Sequence, residues 1–371
     1  MVISKRTWAV PAMLGIGLAL IACATGTDQP TVAQIAFSCR LPVLDGRSGT
    51  WQGGFVTFPA ALLSIDPNGA FTEEPSTHFQ VTRAEPRLFG SAAWPSYAGR
   101  AQRWVPAEPD LISPDGMRYA YRDPGPAGAG LPVPSLVRVV EIGSATYKVF
   151  PVPQPGGEFG GIYVPTPIGW LDDGSLAVME TPGQGPFGPS VNQSVGLFRV
   201  DIASGGVVKV GTVKGIPEGW GGGAAWISVV NPHDAHAVRS GFEGIALPDE
   251  IDRVDLTGNV TSWYYAPGKI VRLGGFDTLG HPFVVVTNPD DANHHSVRLV
   301  PTANSTAAKP QWTYDFQPVR ILADSHGVWF YAQFSGFSLG LVTDSGLHSV
   351  RVHTASKPDE NITVIPAGPC A

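Results

Sequence analysis

Short runs of alternating apolar and polar residues, separated by turns, recur along this chain from about residue 36 to its end. In each unit an apolar or aromatic strand enters a polar turn, and a second strand of β-branched or aromatic residues follows, as in residues 169–178. Glycine or proline interrupts nearly every window of twelve residues, and no stretch keeps apolar residues at helical spacing for three turns. The pattern therefore predicts an all-β protein.

This strand–turn–strand unit occurs five times, in residues 110–121, 169–178, 226–238, 275–285 and 321–330. The steps are 58, 60, 46 and 47 residues between five equivalent turn positions: Asp115, Asp173, His233, Leu279 and His326. A second hairpin-like pair follows each unit, so that one repeat holds four antiparallel strands. This is the repeat length of a β-propeller blade, and it argues against a pair of β-sandwiches.

We predict a propeller of six blades, with seven as the alternative. Five blades fit between about Trp104 and Thr354. The sixth would combine both ends of the chain, since residues 39–43, 54–58 and 361–366 each have the composition of a strand. The N- and C-terminal strands would then close the ring. A seventh blade could lie within residues 59–103.

One turn carries a family resemblance. Ser113-Pro-Asp-Gly116 resembles the turn of TolB-type, WD40-like propeller repeats, where it joins the innermost strand of a blade to the next strand. Asp172-Asp-Gly174 and Ser325-His-Gly327 match this motif in part. The units at 226–238 and 275–285 depart from it. The resemblance therefore implies a propeller but no particular family.

The first 22 residues have the pattern of a secretory signal peptide. Lys5 and Arg6 precede a run from Trp8 to Ile21 that is uncharged and mostly apolar. The run is shorter than the ~20 apolar residues of a membrane-spanning helix, although an uncleaved anchor helix is the alternative. We predict a signal peptide at 1–22, a tether at 23–35 and a single propeller domain at 36–371.

The end of this segment resembles the lipobox of bacterial lipoproteins, with the sequence Leu20-Ile-Ala-Cys23. The resemblance implies that Cys23 is acylated, in the manner of a palmitate-bearing lipoprotein, and anchors the chain outside the cytoplasm. Three cysteines exist, so lipidation of Cys23 would leave Cys39 and Cys370. In an oxidising compartment we expect these two to form a disulfide, with two buried free thiols as the alternative.

Composition narrows the classes of partner. The net charge is −7, only 15% of the residues are charged, and no basic cluster is present. An acidic chain of this kind is a poor nucleic-acid binder, so we expect no nucleic-acid partner. Ten Trp and seventeen Phe supply enough apolar surface for a large core. We expect a monomer whose partners are the membrane and either an envelope protein or a carbohydrate.

No catalytic constellation stands out. The segment from Gly336 to Gly340 matches Gly-x-Ser-x-Gly, but a nucleophile elbow needs a helix after the turn, and no helical pattern follows. His233 and His236 are plausible metal ligands, but their segment reads as a turn and the sequence places no third ligand. We therefore predict no catalytic residue, no metal site and no cofactor.

Three tryptophans are candidates for ligand binding: Trp170, Trp220 and Trp226. They lie near the predicted inner turns, where an indole could stack a sugar or another flat ligand, although packing between blades is the alternative. The leading hypothesis is a membrane-anchored, extracytoplasmic binding module. The rivals are a structural envelope protein and a propeller enzyme of the lactonase, lyase or quinone-dependent dehydrogenase type that acts on a small or carbohydrate-like substrate.

Overall fold

The protein is described from a computed structural model over residues 31–32, 35–46, 52–70, 95–123, 136–144, 146–152, 163–182, 194–233, 238, 246–303, 312–314, 318–332, 339–343 and 345–371. Regular structure within these ranges consists of 26 β-strands and one 3₁₀ turn at Pro109–Leu111. No helical segment there has the length and apolar character that a membrane crossing requires. The predicted all-β class is confirmed.

The strands are numbered in chain order. Strands β1 to β13 are Thr31–Val32, Arg40–Asp45, Gln52–Thr57, Leu62–Ala70, Ser96–Ala98, Arg103–Val105, Arg118–Asp123, Leu136–Glu141, Tyr147–Phe150, Tyr163–Trp170, Leu176–Pro182, Ser194–Val200 and Val207–Lys214. Strands β14 to β26 are Ile216–Gly221, Ala224–Val229, Glu250–Val254, Val260–Tyr265, Ile270–Phe276, Pro282–Asn288, Asp291–Leu299, Trp312–Tyr314, Pro318–Asp324, Gly327–Ala332, Leu339–Thr343, Gly346–Val350 and Val364–Pro366.

These strands form six antiparallel blades, as predicted. Five blades are built on four-stranded meanders: β10–β13, β14–β17, β18–β21, β22–β25 and the sheet with the order β26-β2-β3-β4. The remaining blade is β7–β8–β9, in which Ile112 takes the inner position through a bridge to Tyr119. Strand β1 adds a fifth, parallel strand beside β25. The hairpin β5–β6 forms a separate two-stranded sheet.

The first strand of each four-stranded blade lines the inside of the ring. Strand β10 contacts β14, β14 contacts β18, β18 contacts β22, and β22 contacts β26. The hairpin β5–β6 packs against the terminal blade, where the Tyr97 N–H donates a hydrogen bond to the Ala367 carbonyl oxygen at 2.8 Å. The Tyr97 ring also meets the Phe55 ring edge-on, with 5.0 Å between centroids.

Burial on both faces explains the near-continuous apolar runs of the second strands. In β11, Leu176, Ala177, Val178 and Met179 are all fully buried. Because successive side chains of a strand point to opposite faces, Leu176 and Val178 join one hydrophobic cluster while Ala177 and Met179 join another. Each blade is thus held between its two neighbours, which is why a single blade could not bury its own apolar surface.

Both ends of the chain meet in the terminal blade. Strand β26 pairs with β2, which places Leu44 opposite Ile365. Cys39 and Cys370, separated by 331 positions, form a disulfide with 5.7 Å between their Cα atoms. The Arg40 N–H donates to the carbonyl oxygen of Ala371 at 2.8 Å. The predicted closure of the ring and the predicted disulfide are confirmed.

Two details of the sequence prediction are corrected. The unit at 226–238 had its turn placed at His233, but the inner turn of that blade lies at Gly221–Gly223, between β14 and β15. Trp226 therefore stands on the second strand of its blade and not on the inner strand. In addition, residues 62–65 belong to β4, the fourth strand of the terminal blade, and not to a seventh blade.

Candidate functional site

The three predicted ligand-binding tryptophans lie in the packed interior. Trp170, Trp220 and Trp226 are 7%, 8% and 1% exposed, and each belongs to a different hydrophobic cluster between blades. The Trp170 indole donates to the Leu111 carbonyl oxygen at 2.8 Å, and the Trp226 indole donates to that of Gly221 at 2.8 Å. Little of any ring faces solvent in this conformation, and their contact with a ligand stays a prediction.

The structure describes only some of the other residues that the sequence suggested for lipidation, metal binding or catalysis. Cys23, His236 and residues 336–338 lie outside the described residues. Gly340 is in β24, where a Cβ atom would overlap the ring of Phe330. The second glycine of the Gly-x-Ser-x-Gly match therefore serves close packing between strands.

Near the disulfide, the described residues bring three potential metal ligands together. Atoms of Cys39, Cys370 and His326 all lie within 4.8 Å of one another. Both sulfur atoms are used in the disulfide, so they are not the thiolates that bind zinc. The ring of Phe37 lies over that of His326, with 4.4 Å between centroids. These three residues therefore do not form a set of metal ligands while the disulfide is intact.

Charged groups on the inner strands are engaged with one another. The Glu218 carboxylate of β14 pairs with Arg272 of β18 at 2.9 Å and accepts a hydrogen bond from Ser228 at 2.5 Å. Burial raises the pKa of Glu218, and the positive charge of Arg272 opposes this shift. The pair links the inner strands of adjacent blades.

A second cluster of charged side chains lies close to the blade in which the two ends of the chain meet. Arg320 of β22 is buried and pairs with Glu108. Asp110 follows nearby and retains solvent access, yet protein surrounds its carboxyl closely enough that desolvation raises its pKa to about 6. The charge of Glu108 adds to this rise in pKa, and Arg320 opposes it.

A cavity of about 470 Å³ opens between the blade β14–β17 and the blade β18–β21, and we call it the blade-interface cavity. Its lining comes from the end of β17, the connection to β18, and strands β19 and β20. The lining residues are Tyr264, Tyr265, Ala266, Pro267, Lys269, Val286, Asn288, Ser296 and Arg298.

The connection at 266–269 shapes this cavity. The Ala266 N–H donates to the Asp249 carbonyl oxygen at 3.0 Å, and the Lys269 N–H donates back to that of Ala266 at 3.2 Å. Gly268 takes a positive φ of 67°, which a side chain would disfavour, so the turn is tight. These bonds place Lys269 at the rim, beside the start of β18.

The floor of the cavity is aromatic. Tyr264 is 1% exposed and packs in the cluster that contains Val271, Val284 and Val286. Burial raises the pKa of its hydroxyl, while the charge of Arg298 and a hydrogen bond to it act in the opposite direction. The Arg298 guanidinium carbon is 5.9 Å from the centroid of the Tyr264 ring, within the range of a cation–π contact.

The cavity carries positive charge. Lys269 Nζ donates to the Asn288 side-chain oxygen at 3.2 Å, and Arg298 of β20 adds a second cation. None of the nine lining residues is acidic, although the chain as a whole is at −7. Chemically, the arrangement offers two cations, the half-buried ring of Tyr265, an amide and a hydroxyl.

Sequence reasoning missed this cavity. The only local signal is the run Tyr264-Tyr-Ala-Pro-Gly-Lys269, in which two aromatic residues precede a turn and a cation. The other half of the lining comes from β19 and β20, about 20 to 30 positions later. Their approach depends on how one blade packs on the next, which local pattern does not encode.

No protein-family description and no curated protein sequence matches this chain. Among solved structures, it is similar to oligogalacturonate lyase in complex with manganese, with 12% identity, a TM-score of 0.46, and coverage of 85% of this chain and 74% of that chain. It is also similar to the acylaminoacyl peptidase of Pyrococcus horikoshii, with 12% identity, a TM-score of 0.42, and coverage of 85% and 46%.

A third similar structure is the PQQ-bound aldose sugar dehydrogenase of Streptomyces coelicolor, with 14% identity and a TM-score of 0.37, covering 63% of this chain and 79% of that chain. The three proteins differ in chemistry, and similarity at this level indicates no activity for this chain. The propeller assignment rests on the sheets themselves.

Proposed function

We propose that this protein is a membrane-anchored, extracytoplasmic binding propeller whose ligand occupies the blade-interface cavity. The lipid would be attached to Cys23, as the lipobox resemblance implies. The observation that carries the binding proposal is the cavity itself. Its volume of about 470 Å³ lies in the range of small-molecule sites, and it combines aromatic surface with a few convergent polar groups.

The chemistry of the lining supports binding over catalysis. The nine described lining residues include neither a carboxylate nor an imidazole, the groups that most often transfer protons in active sites. The carboxylate of Glu218 on β14 and that of Glu108 before the 3₁₀ turn are paired with arginines. A carboxylate held in this way has a structural partner and is less available as a base.

One observation favours a propeller enzyme as the second candidate. The pKa of Asp110, about 6, lies in the range suited to a general acid or base at neutral pH. A panel of lactones and sugar aldehydes would test this function. Turnover with a pH limb near 6 that is lost in Asp110→Asn would establish it, and the absence of turnover across the panel would leave binding as the function.

Ligand-observed NMR with a fragment library tests the binding proposal. Ala266 lines the cavity, so Ala266→Trp should fill it and abolish fragment binding there. Ala203→Trp is the matched control, because Ala203 is exposed on a turn of another blade. Equal binding to the wild type and the Ala266→Trp variant would refute the proposal.

A separate experiment tests the anchor. Cys23→Ala should move the protein from the membrane fraction to the soluble fraction and remove metabolic labelling by palmitate. If the variant stays in the membrane fraction and retains the label, the lipoprotein proposal is wrong. Capture from detergent-solubilised native membranes would then show whether an envelope protein accompanies it.

A further inference from the structure

The charge distribution of the blade-interface cavity specifies a class of ligand. Lys269 and Arg298 contribute two cations, and none of the other described lining residues is acidic. The contact partner of the Lys269 ammonium is the amide oxygen of Asn288, which orients the group without neutralising it. Among the described residues, no ion pair involves Lys269. A positive cavity in a chain at −7 is a local departure from the overall charge.

From this arrangement we infer that the cavity binds a small anion, namely a carboxylate or phosphate group carried on a hydroxylated ring. This inference rests on the proposed function, in which the cavity is the ligand site. Arginine favours both anions because its planar guanidinium can donate two parallel hydrogen bonds to them, and lysine adds a point charge.

The two cations are held in place before any ligand arrives. Lys269 follows the tight turn at Gly268 and is fixed through Asn288. Arg298 projects from a strand and lies against Tyr264. A site that is already ordered loses less side-chain freedom on binding, so more of the interaction energy appears as affinity.

The rest of the lining suits the ring of the ligand. Tyr265 is half-buried and Pro267 lies beside it, so both offer apolar surface to the C–H face of a ring. Asn288 and Ser296 supply neutral donors and acceptors for hydroxyl groups. A purely apolar anion would leave these polar groups without new partners, which disfavours it.

Isothermal titration calorimetry with three probes of one ring tests the inference. D-glucuronate carries a carboxylate, D-glucose 6-phosphate carries a phosphate, and D-glucose is neutral. At low ionic strength we expect at least one of the two anions to bind about tenfold or more tightly than glucose. The difference should shrink in 0.5 M salt, because screening weakens charge interactions. Which anion binds then identifies the group.

Charge-removing variants locate the effect. Lys269→Gln and Arg298→Gln should each weaken anion binding about tenfold or more, while Lys269→Arg should retain most of it. Lys214→Gln is the matched control, since it makes the same change of charge at an exposed position on another blade. If Arg298→Gln does not fold, judged by circular dichroism, Arg298→Lys and Lys269→Gln still decide the result.

The outcomes separate this inference from the proposed function. If glucose binds as tightly as both anions, Lys269→Gln changes nothing and Ala266→Trp abolishes the binding, the anion inference is wrong while the cavity remains a ligand site. The same conclusion follows if none of the three probes binds but neutral fragments bind and are lost in Ala266→Trp. If fragment binding survives Ala266→Trp unchanged, the proposed function itself fails.

Discussion

The guanidinium of Arg320 donates a hydrogen bond to the carbonyl oxygen of Pro366 at 2.9 Å, which joins the inner strand β22 to the last strand of the chain. The same group reaches Ser96 Oγ at 3.0 Å and pairs with Glu108. One buried side chain therefore connects the penultimate blade, the terminal blade, the hairpin β5–β6 and the segment before the 3₁₀ turn.

Replacing Arg320 with Met should destabilise the protein by about 2–4 kcal/mol, since buried acceptors and the Glu108 carboxylate lose their donor. Urea unfolding followed by tryptophan fluorescence would measure the change. Arg351→Met is the control, because Arg351 is exposed at the end of β25. A shift in Arg320→Met no larger than that of the control would show that this connection contributes little.

Removing the disulfide should have a similarly large effect. Cys39 and Cys370 close a loop of more than 300 residues, for which the chain-entropy model gives a stabilisation of ~5 kcal/mol. We expect a Cys39→Ser/Cys370→Ser double variant, and the wild type under reducing conditions, to unfold at much lower urea concentration. Alkylation of both cysteines without prior reduction would contradict the disulfide.

A pair of carboxyl groups should make stability depend on pH. Burial, followed by the charge of Glu250 and a hydrogen bond to it, raises the pKa of Asp252 from 3.8 to about 7. Between about pH 4 and 7 the native carboxyl keeps a proton that the unfolded chain has released, so stability falls as the pH rises. Asp252→Asn should flatten this slope and raise Tm by about 2–4 °C at pH 8, corresponding to ~1 kcal/mol.

The carboxyl of Asp255 makes stability depend on pH in the opposite direction. Hydrogen bonds from Thr257 and Asn259 lower its pKa to about 2. Its contribution is therefore present at neutral pH and lost as the pH falls from about 4 to 2. Thermal melts of the wild type and of Asp252→Asn across pH 3 to 8 would measure the slope. A rising slope for the wild type between pH 4 and 7 that Asp252→Asn abolishes would overturn the Asp252 assignment.

The packing role of Gly340 gives a further prediction. Because a Cβ atom there would overlap the fully buried Phe330 ring, Gly340→Ala should cost about 1–3 kcal/mol through overpacking. Gly99→Ala is the control, since a Cβ atom at Gly99 meets nothing within 4 Å. Equal midpoints of urea unfolding for the two variants would refute the packing role.

The alternation of apolar and polar residues and the spacing of the turns were sufficient to predict the propeller and the closure of its ring by both ends of the chain. The segments 39–43 and 361–366 were strand-like on their own, and the cysteine count linked them before any contact was visible. The sequence prediction for the blade that contains Trp226 placed the inner turn too late in the chain. The actual turn is Gly221-Gly-Gly223, which lacks the Asp-Gly pattern of Ser113-Pro-Asp-Gly116.

The candidate site was not predictable in the same way. Tyr264 and Arg298 lie 34 positions apart in different blades, and each alone has an ordinary strand environment. Their contact depends on how closely the two blades pack, which is a property of the tertiary structure and not of the local sequence. The burial of the three tryptophans was equally hard to predict, because large aromatic residues near inner turns also fill the gaps between neighbouring blades.

The bond between Cys39 and Cys370 also changes what a single cut in the backbone can do. With both ends of the domain covalently joined, cleavage of one peptide bond between residues 40 and 369 releases no fragment. It leaves two polypeptides that the Cys39–Cys370 bond still holds together, with two additional termini at the cut. A protease acting on one exposed loop would therefore leave the domain in one piece until the disulfide is reduced or a second bond is cut.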